Sequence, residues 1–230
     1  MTSSDLYRHV TDAAHDSPEW LRSLAEFGTD GGIVLLLLVA AATWWRARQD
    51  TARTMAAALL VPLATVLAYG ISEVLKSLIE EDRPCRAVAH AAPSIAECPP
   101  PGDWSFPSNH STLAAAIAVG IVFAWRRIAL LVLPVAVLLA FSRVFVGVHY
   151  PHDVAAGFTL GTLTAVLCAR LLTGPLAARV DRLRPAAPGH APSRHAARRR
   201  RNGGPAALIL GPGPRPAPAP APAPAYPTSY

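Results

Sequence analysis

Residues 128–146 read IALLVLPVAVLLAFSRVFV and contain one charged side chain, that of Arg143. A helix of about 20 predominantly apolar residues is long enough to cross the hydrocarbon core of a bilayer. This segment therefore predicts a membrane-spanning helix. The whole chain of 230 residues agrees with that prediction, because 52% of its residues are hydrophobic and 16% are charged, against about a quarter charged in ordinary globular proteins.

Four other apolar segments lie at residues 32–45, 54–75, 112–125 and 154–172. The first is short, so a buried or interfacial helix is an alternative there. Trp44, Trp45 and Arg46 at its end are nevertheless typical of an anchor at the membrane interface. The third reaches the length of a span if it begins near Ser108. The expected fold is all-α, a polytopic membrane helical bundle with about five transmembrane helices.

The composition divides the chain into three regions. Residues 1–30 are acidic and lack the pattern of a cleavable signal peptide, so we expect an extracytoplasmic helix there. Residues 31–175 form the expected transmembrane domain. Residues 176–230 are rich in Arg, Pro and Ala and predict a disordered cytoplasmic tail. The arginines at 198–201 favour contact with anionic lipids, and a merely solubilising tail is the alternative.

The arginines indicate how the bundle is oriented. If the spans alternate, most arginines fall on one side of the membrane, at 46–53, at 126–127 and after residue 170. The positive-inside rule then places the C-terminus in the cytoplasm and the N-terminus outside the plasma membrane. This distribution also argues against nucleic-acid binding, which a net charge of +6 and a pI of 9.8 would otherwise suggest.

The first of three polar clusters joins Lys76 to Arg83 and Pro84 after the second span. Seven residues are close to two helical turns, so the two cations can share a face, and Pro84 ends the helix. Lys76 is the sole lysine of the chain, which favours a role for a compact ammonium group. Snorkelling at a helix end is the alternative.

The second cluster, Pro107-Ser-Asn-His110, opens the third span. Ser108 is a good N-cap residue, and the free backbone N–H groups after it form an anion site. Capping explains the serine without any function. It does not explain His110, which stands in the first turn of an apolar helix.

The third cluster begins at Ser142 and Arg143 and continues through His149 to Asp153. Arg143 lies near the outer end of its span, where an unpaired charge is costly, so an anion is expected close by. His149 and Asp153 are four residues apart across a turn. A carboxylate bonded to one imidazole nitrogen fixes the tautomer and leaves the other nitrogen free as a nucleophile. A structural loop histidine is the alternative.

All three clusters fall on the outer side of the expected topology. Together they supply three cations, a helix N-terminus, two histidines and one carboxylate. This set suits phosphoryl transfer, in which catalysis consists mostly of positioning the phosphate and neutralising its oxygens. Few acids lie near the motifs, so the cations would have to replace a magnesium ion.

The three motifs in this order resemble the signature of the type 2 phosphatidic acid phosphatase superfamily. That superfamily includes membrane lipid phosphatases, bacterial undecaprenyl-diphosphate phosphatases and soluble vanadium haloperoxidases. The resemblance covers residues 54–172 and implies a lipid phosphatase/haloperoxidase-like core. The middle motif of the family commonly reads Pro-Ser-Gly-His, so Asn109 departs from it, although the backbone amide there can still serve.

The resemblance implies a metal-independent hydrolysis in two steps, without a cofactor. His149 would attack phosphorus to form a phosphohistidine, with Asp153 holding its ring. His110 would protonate the leaving oxygen and then activate the attacking water. The phosphate oxygens would be held by Lys76, Arg83, Arg143, Ser108 and the amide of Asn109.

Several substrates and functions follow from this resemblance and its alternatives. The small size and the outward site favour undecaprenyl or another polyprenyl diphosphate in the bilayer. Phosphatidic acid, phosphatidylglycerol phosphate and a prenyl-linked sugar phosphate stay open. A zinc hydrolase using His110, His149, His152 and Asp153 is an alternative, as is a non-catalytic anion-binding membrane protein. The same residues also fit haloperoxidase chemistry, but haloperoxidases are usually soluble proteins, and the apolar spans argue against that function here.

Two cysteines, Cys85 and Cys98, fall in the outer loop, where the surroundings are oxidising. We expect a disulfide bond that closes this loop. The third cysteine, Cys168, falls in the fifth span and is expected to serve packing.

Overall fold

The computed structural model describes residues 2–184, and its helices follow the apolar segments of the sequence. In chain order they are α1 (Ser3–His15), α2 (Glu19–Ala47), α3 (Ala52–Ile79), α4 (Pro84–Ala87), α5 (Asn109–Ala124), α6 (Ala129–Phe145) and α7 (Pro151–Leu183). A 3₁₀ turn at Arg126–Ile128 precedes α6. Residues 2–184 contain no strand, and the all-α class is confirmed.

Four of these helices, α2, α3, α6 and α7, lie in segments long and apolar enough to cross a membrane. Helix α5 has 16 residues and is about 24 Å long, which is below the length of a comfortable span. It packs against all four of the others, and its side chains from Ala114 to Ala118 are buried. The expected count of about five spans thus becomes four long helices around a short central one.

The outer surface of the bundle is apolar. Leu130 and Val66, for example, are 88% and 70% exposed, while the interior contains many small residues such as those of α5. Large apolar side chains on the outside suit a lipid solvent, and small residues inside let helix backbones approach closely. The protein is therefore a multi-pass membrane protein.

The N-terminal region differs from the single helix expected over residues 1–30. Two helices occur there, because Pro18 disfavours a helical conformation at Ser17 and caps a new helix instead. Helix α2 then continues through Asp30 to Ala47, so the first apolar segment belongs to a helix of 29 residues. At the other end, α7 continues past residue 175 to Leu183. The rest of the predicted tail lies outside the described residues.

Helices α5 and α7 are in backbone contact. A Cβ atom on Gly157 would collide with the carbonyl oxygen of Ser108, and one on Gly161 would collide with that of Thr112. The backbone N–H of Ser108 donates to the carbonyl of Asp153 at 3.1 Å. These contacts place the N-terminus of α5 directly beside the N-terminus of α7.

The connection between α3 and α5 packs over the turn between α6 and α7. The N–H groups of Ile95 and Ala96 donate to the carbonyl of Val146 at 3.0 and 3.2 Å. Gly147 has a φ of 85°, and a Cβ atom there would lie 2.9 Å from Ser94, so the turn requires glycine. A disulfide bond between Cys85 and Cys98 closes this connection. The covered turn leads directly into His149.

Candidate active site

A polar cavity of about 440 Å³ lies at the end of the bundle where α3 and α6 finish and α5 and α7 begin. Asp153 is fully buried next to it. Six of the residues singled out from the sequence line the cavity, namely Lys76, Arg83, Asn109, His110, Arg143 and His149. The three motifs therefore meet in one volume.

His149 and Asp153 form a buried imidazole–carboxylate pair, with 3.3 Å between Nδ1 and Oδ2. The same carboxylate oxygen accepts hydrogen bonds from the backbone N–H of Tyr150, at 2.8 Å, and from the hydroxyl of Ser105. Several donors thus hold one oxygen, and that oxygen fixes the orientation of the imidazole ring.

The other ring nitrogen of His149, Nε2, lies 3.1 Å from Nη1 of Arg83. A guanidinium can only donate hydrogen bonds, so Nε2 carries a lone pair and the proton sits on Nδ1, facing Asp153. Burial lowers the pKa of His149 to about 3, and the hydrogen bond to Asp153 offsets only part of that effect. The ring is therefore neutral near pH 7, with its basic nitrogen directed at a cation.

Lys76 and Arg83 share one carboxylate. They are only 8% and 3% exposed, and Oδ1 of Asp103 lies 3.4 Å from Nζ of Lys76 and 2.8 Å from Nη2 of Arg83. Partial burial by itself would raise the pKa of Asp103, but the hydrogen bond and charge of Arg83 hold it below its usual value. An ionised carboxylate thus bridges two cations that could equally bind phosphate oxygens.

Arg143 reaches the cavity from α6. Its Nε atom is buried and has no hydrogen-bond partner within residues 2–184, so this donor is available to an anion. The adjacent Ser142 is tied to Thr29 of α2, with 2.8 Å between the two hydroxyl oxygens. That bond joins α2 to α6 at the level of the cavity.

The sequence predicts that the Ser108 side chain caps the N-terminus of α5, but the structure shows no such hydrogen bond. Ser108 occupies the N-cap position. Its Oγ is buried and accepts a hydrogen bond from Ser111 at 3.2 Å, because α7 packs closely over this turn. The side chain of Asn109 is held by Ser72 and Glu73 of α3. The backbone N–H groups of this first turn have no partner within the helix and are the donors left for an anion.

His110 contacts a residue from outside the three motifs. Its Nε2 lies 2.8 Å from Oδ1 of Asp30 in α2. The sequence places Asp30 in the separate N-terminal region, so this contact was not expected. With Nε2 occupied, Nδ1 is the ring nitrogen left for the cavity.

The four residues of the zinc alternative do not form one ligand set. Nε2 of His149 faces Arg83. His152 is not among the residues that line the cavity, and its Nε2 lies 3.0 Å from Glu81. The cluster that could hold a metal ion within the described residues consists of Glu81, His152 and Asp153, which includes neither histidine of the cavity.

Sequence reasoning missed Asp30, Asp103 and Ser105, which lie outside the motifs and contact them only through space. No local pattern distinguishes these residues from other polar residues of their segments. One signal for the packing was available, since Gly157 and Gly161 form the small-xxx-small pattern that brings membrane helices together.

Comparison with known proteins supports the same family. Residues 57–177, more than half of the chain, match the PAP2 superfamily. An undecaprenyl-diphosphatase of Sulfolobus acidocaldarius is 34% identical over 128 residues, which are 54% of this chain and 60% of that protein. A decaprenylphosphoryl-5-phosphoribose phosphatase of Mycobacterium tuberculosis is 37% identical over 105 residues, which are 44% of this chain and 53% of that protein.

A solved structure is also similar. The PAP2-type phosphatidylglycerolphosphate phosphatase of Bacillus subtilis matches with a TM-score of 0.52 and 25% identity, over 78% of this chain and 88% of that one. The chain spans 60% and 53% of the length of the two curated relatives.

Proposed function

The chain belongs to the PAP2 superfamily, and from that premise we propose that it is an integral membrane phosphatase acting on a phosphomonoester or diphosphate of a membrane lipid. The observation that carries the proposal is the neutral His149, whose unprotonated Nε2 lies in the same cavity as three cations. A nucleophile, a proton donor and positive charge for the non-bridging oxygens are what phosphoryl transfer through a covalent intermediate requires.

In the first step, the lone pair on Nε2 of His149 attacks phosphorus, and the bond from phosphorus to the leaving oxygen breaks. His110 gives its proton to that oxygen. The imidazole gains positive charge as it is phosphorylated, and Asp153 stabilises that charge through Nδ1–H. The phosphate oxygens are held by Lys76, Arg83, Arg143, the Ser108 hydroxyl and the Asn109 amide.

In the second step, water attacks the phosphohistidine. His110, now neutral, takes a proton from the water as the new P–O bond forms. The P–N bond breaks and its electron pair returns to Nε2 of His149. Inorganic phosphate leaves, and both histidines are again in their starting protonation states.

Undecaprenyl or another polyprenyl diphosphate is the substrate we favour. The relative from Sulfolobus acidocaldarius is named for that activity, and a polar cavity at the end of a membrane bundle suits a diphosphate at headgroup level. The solved Bacillus subtilis relative is named a phosphatidylglycerolphosphate phosphatase, which favours that lipid, with phosphatidic acid, as the second candidate.

The cavity is assigned to the extracytoplasmic face of the plasma membrane, because the arginine-rich connections lie at the other end of the bundle. A reporter enzyme that is active only outside the cytoplasm should be inactive when fused after residue 184 and active when fused before residue 2. The reverse pattern would contradict this orientation.

The activity is tested with the purified full-length protein in lipid nanodiscs. Release of inorganic phosphate is measured from undecaprenyl diphosphate, phosphatidylglycerol phosphate and phosphatidic acid, with and without a strong chelator. We expect the highest kcat/KM for the polyprenyl diphosphate and no effect of the chelator. Loss of activity with the chelator would favour the zinc hydrolase. No release from any of the lipids would favour a non-catalytic anion-binding protein.

A further inference from the structure

We propose that Asp30 is a positioning residue for His110, and that it supports the protonated ring when this ring acts as the general acid. The inference rests on the proposed function and adds to it a residue of α2, outside the three motifs. Its basis is the 2.8 Å contact between Oδ1 of Asp30 and Nε2 of His110. Because Nε2–H is held by the carboxylate, the proton on Nδ1 is the one that can be given to a leaving group in the cavity.

The position of Asp30 is fixed by its neighbours in α2. Thr29 is 1% exposed and its hydroxyl lies 2.8 Å from that of Ser142 in α6. One turn further, Gly32 has no side chain, and Leu139 of α6 packs into the space that a Cβ atom would fill. Helix α2 is thus held against α6 on both sides of Asp30, which keeps the carboxylate beside His110.

Charge explains why a carboxylate is useful at this point. The charged groups that face His110 are Asp30 from α2, Arg143 from α6 and Lys76 from α3. Burial of the ring and, after it, the two cations disfavour an imidazolium, whereas the carboxylate favours it. The two cations are needed to bind the phosphate, but they repel a proton on His110. The negative charge of Asp30 offsets this repulsion and stabilises the protonated ring.

The contact contributes little to folding. The side chain of Asp30 is 82% exposed and that of His110 is 29% exposed, and an ion pair that is open to solvent on one side adds little to stability. A carboxylate near the apolar part of a membrane helix in addition costs free energy, and such residues commonly mark functional sites. Function rather than stability is therefore the reason for this residue.

The proposed role has a consequence for leaving groups. In the first step, the P–O bond breaks while the proton moves from Nδ1 of His110 to the leaving oxygen, and Asp30 keeps Nε2–H throughout without gaining a proton itself. An alkyl alcohol is a poor leaving group and needs that proton, whereas p-nitrophenolate leaves without it. Loss of Asp30 should therefore affect alkyl phosphates far more than aryl phosphates.

The experiment compares the full-length wild type with Asp30→Asn, Asp30→Glu and the control Glu26→Gln, which removes an exposed acid one turn earlier in α2. Each is assayed on dioctanoyl phosphatidic acid and on p-nitrophenyl phosphate across a range of pH. We expect Asp30→Asn to lower kcat on the lipid roughly tenfold or more, within the contribution of about 10²–10⁴ made by a general acid. On the aryl phosphate kcat should change less than about threefold.

Two further readouts separate positioning from a structural role. The basic limb of the pH–rate profile on the lipid should move to lower pH in Asp30→Asn, because the imidazolium loses its carboxylate. Asp30→Glu should recover part of the rate, and Glu26→Gln should match the wild type. Equal losses on both substrates, or an unchanged basic limb, would overturn the role of Asp30 while leaving the phosphatase activity intact. A wild type that releases phosphate from neither of these substrates nor from undecaprenyl diphosphate would instead overturn the proposed function, and the role of Asp30 with it.

Discussion

The carboxylate of Asp103 lies 2.8 Å from the guanidinium of Arg83, and the same oxygen lies 3.4 Å from the ammonium of Lys76. The backbone carbonyl of Asp103 also accepts from Nε of Arg83, at 2.9 Å. One residue of the connection between α3 and α5 therefore uses donors that a phosphate group would need. Arg83 in turn donates to Nε2 of His149, so entry of a phosphate has to rearrange both contacts.

Asp103→Asn should bind inorganic phosphate or vanadate more tightly than the wild type. The neutral amide competes less well for Lys76 and Arg83, and a hydrogen bond to a charged group is worth about 1.5 kcal/mol or more, which corresponds to about tenfold in affinity. Competitive inhibition constants measure the effect. Glu97→Gln, an exposed acid of the same loop, is the control. Weaker binding in Asp103→Asn would mean that this residue supports Arg83 instead of competing for it.

His149→Ala should abolish turnover and leave the protein folded in the membrane. The side chain supplies the attacking lone pair, and nothing else in the described cavity carries an unprotonated imidazole nitrogen paired with a buried carboxylate. Wild-type protein mixed briefly with a labelled substrate should yield an acid-labile phosphohistidine that the variant lacks. His9→Ala, at an exposed position of α1, serves as the control. Wild-type rates in His149→Ala would refute the assignment.

His149 should remain an unprotonated nucleophile at pH values well below neutral. Burial lowers its pKa to about 3, compared with 6.5 for an ordinary histidine, so the folded protein keeps the ring neutral where a free imidazole gains a proton. The burst rate of phosphoenzyme formation, corrected for titration of the substrate, should show no acid limb near pH 6.5. An acid limb at that pH would argue that the nucleophile is exposed.

The same pKa predicts how stability depends on pH. The unfolded chain takes up a proton on His149 below about pH 6.5 that the folded chain does not accept, so folding should weaken as the pH falls below that value. His149→Gln should reduce this acid dependence. Thermal unfolding in detergent at several pH values measures it, and identical slopes for the two proteins would contradict the burial of this ring.

Gly161→Ala should destabilise the bundle by about 1–3 kcal/mol, the usual cost of overpacking. A methyl group there collides with the backbone of α5 at Thr112, and a backbone cannot move as a flexible side chain can. Gly174→Ala is a matched control in the same helix, because nothing lies within 4 Å of its added Cβ atom. Midpoints of thermal unfolding compare the two, and equal midpoints would show that α5 and α7 are further apart.

Replacing Cys85 and Cys98 together by serine should lower the free energy of unfolding by up to about 3 kcal/mol on the chain-entropy estimate. The bond joins Cys85 of α4 to Cys98, which precedes Asp103 and Ser105 in the same connection between α3 and α5, so kcat/KM should fall as well. Reductant should reproduce both effects in the wild type and add nothing in the double variant. A wild type that is indifferent to reductant would show that the bond is absent.

The sequence by itself determined that the protein is a helical membrane protein and that its three motifs lie at one end of the bundle. Hydropathy is a local property, because a run of apolar residues has to be helical and embedded wherever it stands in the chain. Alternation of the spans then brings the end of α3, the start of α5 and the turn before α7 to the same side. The placement of Lys76 and His149 at the same end of the bundle follows from this alternation alone.

Only the tertiary structure decided which carboxylates and hydroxyls complete the site. Asp30 and His110 are 80 residues apart in the chain, and Ser105 meets Asp153 across 48 residues. Such contacts depend on the depth at which one helix packs against another, which is set by features such as the glycine contacts between α5 and α7 and the hydroxyl pair between α2 and α6. Composition and spacing do not encode that depth, because it arises from the fit of surfaces distant in sequence.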